Sequence, residues 1–314
     1  MVVRFGSLGD VILTTPLLRA IRRTHSDAAI TFVTKHAYAP LLAHNPHVRE
    51  VVTLDPDGSL RTLGRHLRCT TWDHRLDLHG SLRSVLLRAL VPGTWRSYAK
   101  RRLRRTLLIR SGMDRYGPTV PVAERYFEAA RDLDVHPDGR AAEVFTGPDA
   151  EERARAVCDG VCIVLAPGAA HATKRWPGTH WHELVRLLRE SEVAVVGVGM
   201  DAERSILKGT GVVDGFGIGI DATAALMRRA RVVVANDSGL MHLATAVGTP
   251  VVALYGPTVA QFGFFPYQAR AVVLERPLRC RPCSPYGSPH CPLGHHRCMF
   301  DIEPAAVATA VVSV

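Results

Sequence analysis

Lysine is almost missing from this chain of 314 residues: only Lys35, Lys100, Lys174 and Lys208 stand among 39 basic side chains, the rest being arginine. Charged residues of all kinds make up 22% and hydrophobic ones 47%, a balance that excludes a disordered or fibrous chain and supports a large buried core. No apolar run reaches the roughly eighteen residues of a membrane span, and Arg4 and Asp10 interrupt the first apolar stretch, so neither a span nor a secretory signal is expected in it. The expected compartment is the cytosol. Seven cysteines, an odd number, do not make a complete disulfide framework. There is no short internal repeat and no GxGxxG dinucleotide fingerprint. Nor is there an aromatic-interleaved RNA-binding motif or helix-turn-helix, so nucleic acid is not an expected partner.

What is present in excess is positive charge, +10 in all. It is uneven, because Arg83, Arg88, Arg96, Lys100, Arg101, Arg102, Arg104, Arg105 and Arg110 follow one another with no acid between them. Such a run attracts polyanions, whether nucleic acid, anionic lipid or a phosphorylated glycan; the plainer alternative is a solvated surface.

The length predicts two domains. Short β-branched runs at Val2–Phe5, Ala29–Thr34, Val48–Leu54 and Arg75–Leu78 alternate with helical stripes such as Leu17, Leu18 and Ile21. A second series places strands at Val161–Leu165, Val193–Val198, Val232–Ala235 and Val251–Tyr255, with helices near His180–Arg189, Ala222–Arg229 and Leu240–Val247. Each half reads as a doubly wound α/β unit, and the polar stretch His136–Pro148 reads as the linker. Ligands of such units sit at the carboxyl ends of strands, so a cleft between the units is expected.

Three loops carry the chemistry. Ser7-Leu8-Gly9-Asp10 runs from the first strand into a helix, where Asp10 can act as a general base or, more plainly, cap the helix. The loop Ala166–Pro177 combines small residues with Thr173, Lys174 and Arg175, a composition suited to folding over a diphosphate. Asn236-Asp237-Ser238-Gly239 precedes an alanine-rich helix whose first N–H groups offer an anion site, with His242 one turn in as a ligand or a packing residue.

Together these loops, Asp77–Ser84, Asn236–Thr258 and Cys291–Met299 closely resemble, in order and over nearly the whole chain, the ADP-heptose:lipopolysaccharide heptosyltransferases of glycosyltransferase family 9. The resemblance implies a GT-B fold of two Rossmann-like domains with an interdomain cleft. It implies an acceptor domain over residues 1–147, a nucleotide-sugar domain over 148–300 that includes the cysteine-rich segment 280–298, and a C-terminal helix over 301–314. Asp10 matches the family's catalytic base; Ser7, Gly9 and Arg83 match acceptor positions. Thr173 and Lys174 match the grip on the donor phosphates, with Lys174 stabilising the departing diphosphate in place of a catalytic metal. Asp237 matches the residue on the donor sugar hydroxyls, and Ser238, Gly239, Leu240 and His242 match its neighbours around the diphosphate. His79 stands where the family usually has glutamine.

The implied reaction is an inverting transfer from ADP-heptose to an inner-core lipopolysaccharide hydroxyl, without a catalytic cofactor, at the cytoplasmic face of the inner membrane, with peripheral contact to anionic lipid. Alternatives are a protein or secondary-metabolite acceptor within the same family and, further off, a nucleic-acid-binding protein with a metal finger. Cys280, Cys283, Cys291 and Cys298 have a spacing that can wrap a structural zinc or iron, and the resemblance, whose members carry similar cysteines, favours that reading over free thiols.

Overall fold

A computed structural model describes residues 1–189 and 193–314. The chain divides into two compact units, one of Met1–Lys100 with Val120–Phe145 and the other of Arg101–Thr119 with Thr146–Val314. The segment 101–119, expected with the N-terminal domain, thus packs with the second unit. Among the described residues no helix is long and apolar enough to cross a membrane.

The first unit contains strands β1 (Val2–Val3), β2 (Thr31–Lys35), β3 (Glu50–Leu54), β4 (Arg75–Asp77) and β5 (Trp95–Ser97). Its helices are α1 (Leu8–Ile12), α2 (Thr15–Thr24), α3 (Leu60–Arg68), α4 (Leu82–Leu90) and, beyond α5 (Arg102–Ser111) of the second unit, α6 (Val122–Arg125). All strand pairs are parallel, in the order β3-β2-β1-β4-β5. Parallel sheets are covered on both faces, which is why Val2, Val3, Phe32 and Val33 are buried without alternation. Serines cap two helices: Ser59 Oγ accepts from the Arg61 amide, and Ser81 Oγ from that of Ser84. Helices α3 and α4 pack side by side at Gly64, where a Cβ would lie 2.8 Å from Leu90 Cβ. Tyr126–Leu133 winds as a 3₁₀ helix.

The second unit continues with α7 (Pro148–Val157), β6 (Cys162–Ala166), α8 (Gly178–Leu188), β7 (Ala194–Gly199), β8 (Val213–Phe216), α9 (Ile220–Arg229) and β9 (Ala230–Asn236). It closes with α10 (Gly239–Ala246), β10 (Val251–Tyr255), β11 (Ala271–Glu275), α11 (Arg297–Phe300) and α12 (Pro304–Ser313). Its six parallel strands run β11-β10-β9-β6-β7-β8. Its core gathers Trp176 and Trp181, packed edge to face at 5.1 Å, with Cys298, Met299 and the apolar side of α12. Segment 101–119 is held by Arg105, whose guanidinium lies 4.9 Å from the Phe262 ring and 5.0 Å from that of Tyr286.

In both sheets chain order reverses beside the first strand of the unit, between β1 and β4 and between β6 and β9. Such switch points open a crevice at the carboxyl ends of the strands. The Asp10 loop follows β1, and the loops of Lys174 and Asp237 follow β6 and β9.

Candidate active site

Asp10 sits in the first helical turn after β1, with its side chain 16% exposed. Arg4, buried beneath it, reaches one carboxylate oxygen with Nη2 at 2.6 Å from Oδ1, where the Tyr126 hydroxyl also donates at 3.3 Å. The other oxygen accepts from Ser7 Oγ at 2.7 Å and from the Ser7 amide at 3.1 Å. Burial alone would raise the Asp10 pKa, but the charge of Arg4 and the Ser7 hydrogen bonds outweigh it and hold the carboxyl below the ordinary carboxylate value. Asp10 is therefore ionised at neutral pH.

A carboxylate has about four acceptor sites, and these four donors fill them. Of these donors the hydroxyl of Ser7, an exposed residue, is more readily displaced than buried Arg4 or Tyr126. Arg4 is itself fixed by the Leu78 carbonyl, the Tyr98 hydroxyl and the Tyr126 ring face.

His79, after β4, packs edge-on against Phe5 at 5.8 Å. Burial, then the charges of Arg4 and Lys100, push its pKa down to about 4, so the imidazole is neutral at pH 7. It can then act only as a neutral hydrogen-bonding group. Asp77 Oδ1 shapes this turn by accepting from the His79 and Gly80 amides at 2.9 Å each. Gly9 is buried in the first turn of α1, and Arg83 is exposed near the start of α4.

In the second unit Asn236 joins the two loops at the switch point. Its Nδ2 donates to the Pro167 carbonyl at 2.8 Å, and its Oδ1 accepts from the Trp176 amide at 3.2 Å. Lys174 Nζ then lies 2.7 Å from Asp237 Oδ2, which also accepts from Thr258 Oγ1 at 2.5 Å. An ammonium has three donors, so Lys174 keeps two for a ligand while Asp237 holds it in place. Ser238 occupies the N-cap position of α10 without a side-chain capping bond, and its Oγ is buried with no hydrogen-bond partner among the described residues. Buried hydroxyls are normally satisfied, so this one has hydrogen-bonding capacity to spare. Gly239 and Leu240 begin α10; His242 is buried, its ring 6.5 Å from that of Phe264. Gly168 permits a close approach on the loop, since a Cβ there would run into the Glu203 carboxylate.

Thr173, buried next to Lys174, ties its hydroxyl to Ser288. Its hydroxyl donates to the Ser288 carbonyl at 3.0 Å and accepts from the Ser288 amide at 2.8 Å, so its one proton is committed to a loop 115 residues away. These bonds tie the Lys174 loop to the cysteine-rich segment.

A profile of glycosyltransferase family 9 (heptosyltransferase) matches residues 60–293. The chain belongs to this family. It is a glycosyltransferase, and its two parallel-sheet units are those of the GT-B fold. It is 26% identical over 337 residues to lipopolysaccharide heptosyltransferase 1 of Pseudomonas aeruginosa, covering 96% of this chain and 91% of that one. Among solved structures, a family 9 glycosyl transferase from Veillonella parvula superposes with a TM-score of 0.82 at 23% identity, covering 99% and 95% of the two chains. ADP-heptose lps heptosyltransferase II of E. coli does so at 0.76 and 24%, covering 99% and 97%.

Two expectations for this family 9 chain change with the structure. Cys280, Cys283, Cys291 and Cys298 do gather: burial, then neighbouring cysteines, raise the Cys283 pKa and push that of Cys298 up to about 11. Cys280 Sγ lies 3.9 Å from His295 Nε2, and Cys291 Sγ accepts from the His296 amide at 3.4 Å. Yet among the described residues no three His, Cys, Asp or Glu side chains converge as a ligand set, so the arrangement does not fit the expected zinc or iron. The arginine run divides between the two units at Lys100 and Arg101. Several members are occupied: Arg96 pairs with Asp132, Arg88 with Asp77 at 3.8 Å, and Arg105 is buried between rings.

Reading the sequence singled out Asp10, Lys174 and Asp237 but missed Arg4, Tyr126, Asn236 and Thr258. Asn236 and Thr258 lie inside a motif and could have been found there. Tyr126 lies 116 residues from Asp10 and carries no local signal.

Proposed function

We propose that this chain transfers a heptosyl group from ADP-heptose to a hydroxyl of the lipopolysaccharide core, inverting the anomeric centre, in peripheral association with the anionic cytoplasmic face of the inner membrane. Asp10 takes the proton of the acceptor hydroxyl as its oxygen forms a bond to the anomeric carbon. The bond from that carbon to the diphosphate oxygen breaks on the opposite face, and ADP leaves with the electron pair. A base placed this way contributes roughly 10²- to 10⁴-fold. On the donor side Lys174, the Ser238 hydroxyl and the amino end of α10 take up the negative charge developing on the diphosphate. Asp237, adjacent to Ser238 and bonded to Lys174, meets the sugar hydroxyls. Arg83, Ser7 and the amide backbone at Gly9 meet the anionic acceptor.

The observation that carries this reading is the Lys174–Asp237–Thr258 cluster beside the unpartnered Ser238 hydroxyl at the second unit's switch point. Support for the sugar comes from the names of the relatives, which act on ADP-heptose and lipopolysaccharide. Calorimetric titration with ADP, UDP, GDP and ADP-heptose tests it. The expected result is selective binding of ADP, tightened by the heptosyl group. Preference for UDP or GDP would discard the donor, and absence of any nucleotide binding by folded protein would discard the site.

A further inference from the structure

Helix α4 turns apolar residues outward. Leu82, Val85, Leu86 and Ala89, at helical spacing along one face, are exposed, Leu82 by 77%, whereas Ser84 and Leu87 face inward. A helix lying on a sheet normally shows solvent its polar side, and this one does the reverse. Its neighbour α3 shows the expected polar side, and that side is basic: Arg61, Arg65, His66 and Arg68 are exposed. No acid lies between Gly58 and Trp72, and among the described residues none of Arg61, Arg65, Arg68 and Arg83 forms an ion pair with a carboxylate. Leu63 and Leu67 of α3 and Leu87 of α4 enter the same apolar cluster with Val3, Phe5 and Val33. Both helices therefore lie on one face of the first sheet, and their outer sides form adjoining stripes, one apolar and one cationic.

We infer that the outer face of α3 and α4 is a docking surface for an anionic lipid bilayer. An apolar stripe next to unneutralised arginines matches the chemistry of such a surface, where leucines enter the acyl boundary and arginines meet the headgroups. The inference rests on the proposed lipid-linked acceptor and gives it a place: Arg83, expected near the acceptor, stands at the start of the same α4. The arginines of α3 lie outside the basic run noted in the sequence.

The test is flotation of the full-length protein with vesicles of phosphatidylcholine, alone or with about one third phosphatidylglycerol, at low and high salt. Binding is expected only to the anionic vesicles, weakening with salt. A Leu82→Ser, Leu86→Ser variant is expected to bind about tenfold less tightly while keeping the salt dependence. An Arg61→Gln, Arg65→Gln, Arg68→Gln variant should bind on the order of a hundredfold less tightly and lose most of that dependence. All substituted side chains are exposed, and the two variants test different helices, so misfolding of one leaves the other decisive. Wild-type binding in both variants would overturn the inference. So would leucine-dependent dimerisation with vesicle binding intact, which would assign the face to a second copy, or binding to heparin but not to vesicles. Transfer to a lipid-free core oligosaccharide, followed in parallel, separates the two readings. Transfer without vesicle binding removes the membrane association and its docking surface but leaves the proposed reaction, and vesicle binding without transfer removes the proposed reaction alone.

Discussion

The two units place an acid and a cation in contact at the switch point of their sheets and use them in opposite senses. In the first, Arg4 is buried and fixed, and the carboxylate of Asp10 reaches the surface through Ser7. In the second, Asp237 is the more buried partner, and Lys174 keeps donors free. In the proposed reaction the same pair of charges serves as a base in one unit and a diphosphate grip in the other. In that reading the more exposed member of each pair does the work, and the buried member sets its position.

Asp10→Asn breaks this comparison most sharply. Turnover should fall by roughly 10²- to 10⁴-fold, as measured by ADP release in the presence of acceptor, because the amide cannot take the proton. Activity near wild type would move the base elsewhere. Lys174→Ala comes next: it should reduce kcat and ADP affinity together, since the cation acts on the diphosphate both before and during bond breaking. It also leaves the Asp237 carboxylate buried without its counter-charge, so the melting temperature should drop, an effect that Asp237→Asn in the same background should relieve. A Lys174→Ala protein as stable as wild type would contradict the pairing.

Arg4→Gln sharpens the electrostatic half of the account. Asp10 is held below the ordinary carboxylate value because Arg4 and Ser7 outweigh its burial. The contribution of that ionised pair to stability is present above the unfolded-state pKa and is lost as pH falls through the lowered one. Without Arg4, burial prevails and the carboxyl pKa rises. The acid limb of the kcat profile should then move to higher pH, with less change at the alkaline end. An unmoved limb would mean that Arg4 does not set the charge state of the base. The smallest effect is expected of His79→Gln. The imidazole is already neutral at pH 7, with a pKa pushed down to about 4, so replacing it with a neutral amide should change kcat/KM by only a few-fold between pH 6 and 8. A large pH-dependent loss would show that His79 exchanges protons.

The sequence revealed the working members of each pair more readily than their partners, for a physical reason. Asp10, Lys174 and Asp237 stand in loops between a strand and a helix, where glycines and capping residues mark a ligand site locally. Arg4 is only six residues from Asp10, but it sits in a run read as strand and gives no sign that its guanidinium turns beneath the loop. Tyr126 and Tyr98 reach the site through tertiary packing alone. Thr173 looked like a phosphate ligand because hydroxyls suit such loops, and only the fold shows Ser288 using its proton. Among the strands, the buried β-branched runs were legible, whereas β5, β8 and β11 were not. β5 (Trp-Arg-Ser) and β8 (Val-Asp-Gly-Phe) are short and polar, and all three lie at sheet edges, where burial imposes less pattern. Helix α4 escaped notice because its exposed leucines violate the usual amphipathic rule, and that violation underlies the proposed docking surface.

The central claim is the division of labour between the units, and ADP titration of the Asp10→Asn and Lys174→Ala variants side by side tests it most directly. The account predicts that Asp10→Asn binds ADP as wild type does and that Lys174→Ala binds it at least about tenfold more weakly. Loss of ADP affinity in Asp10→Asn, or its retention in Lys174→Ala, would contradict it.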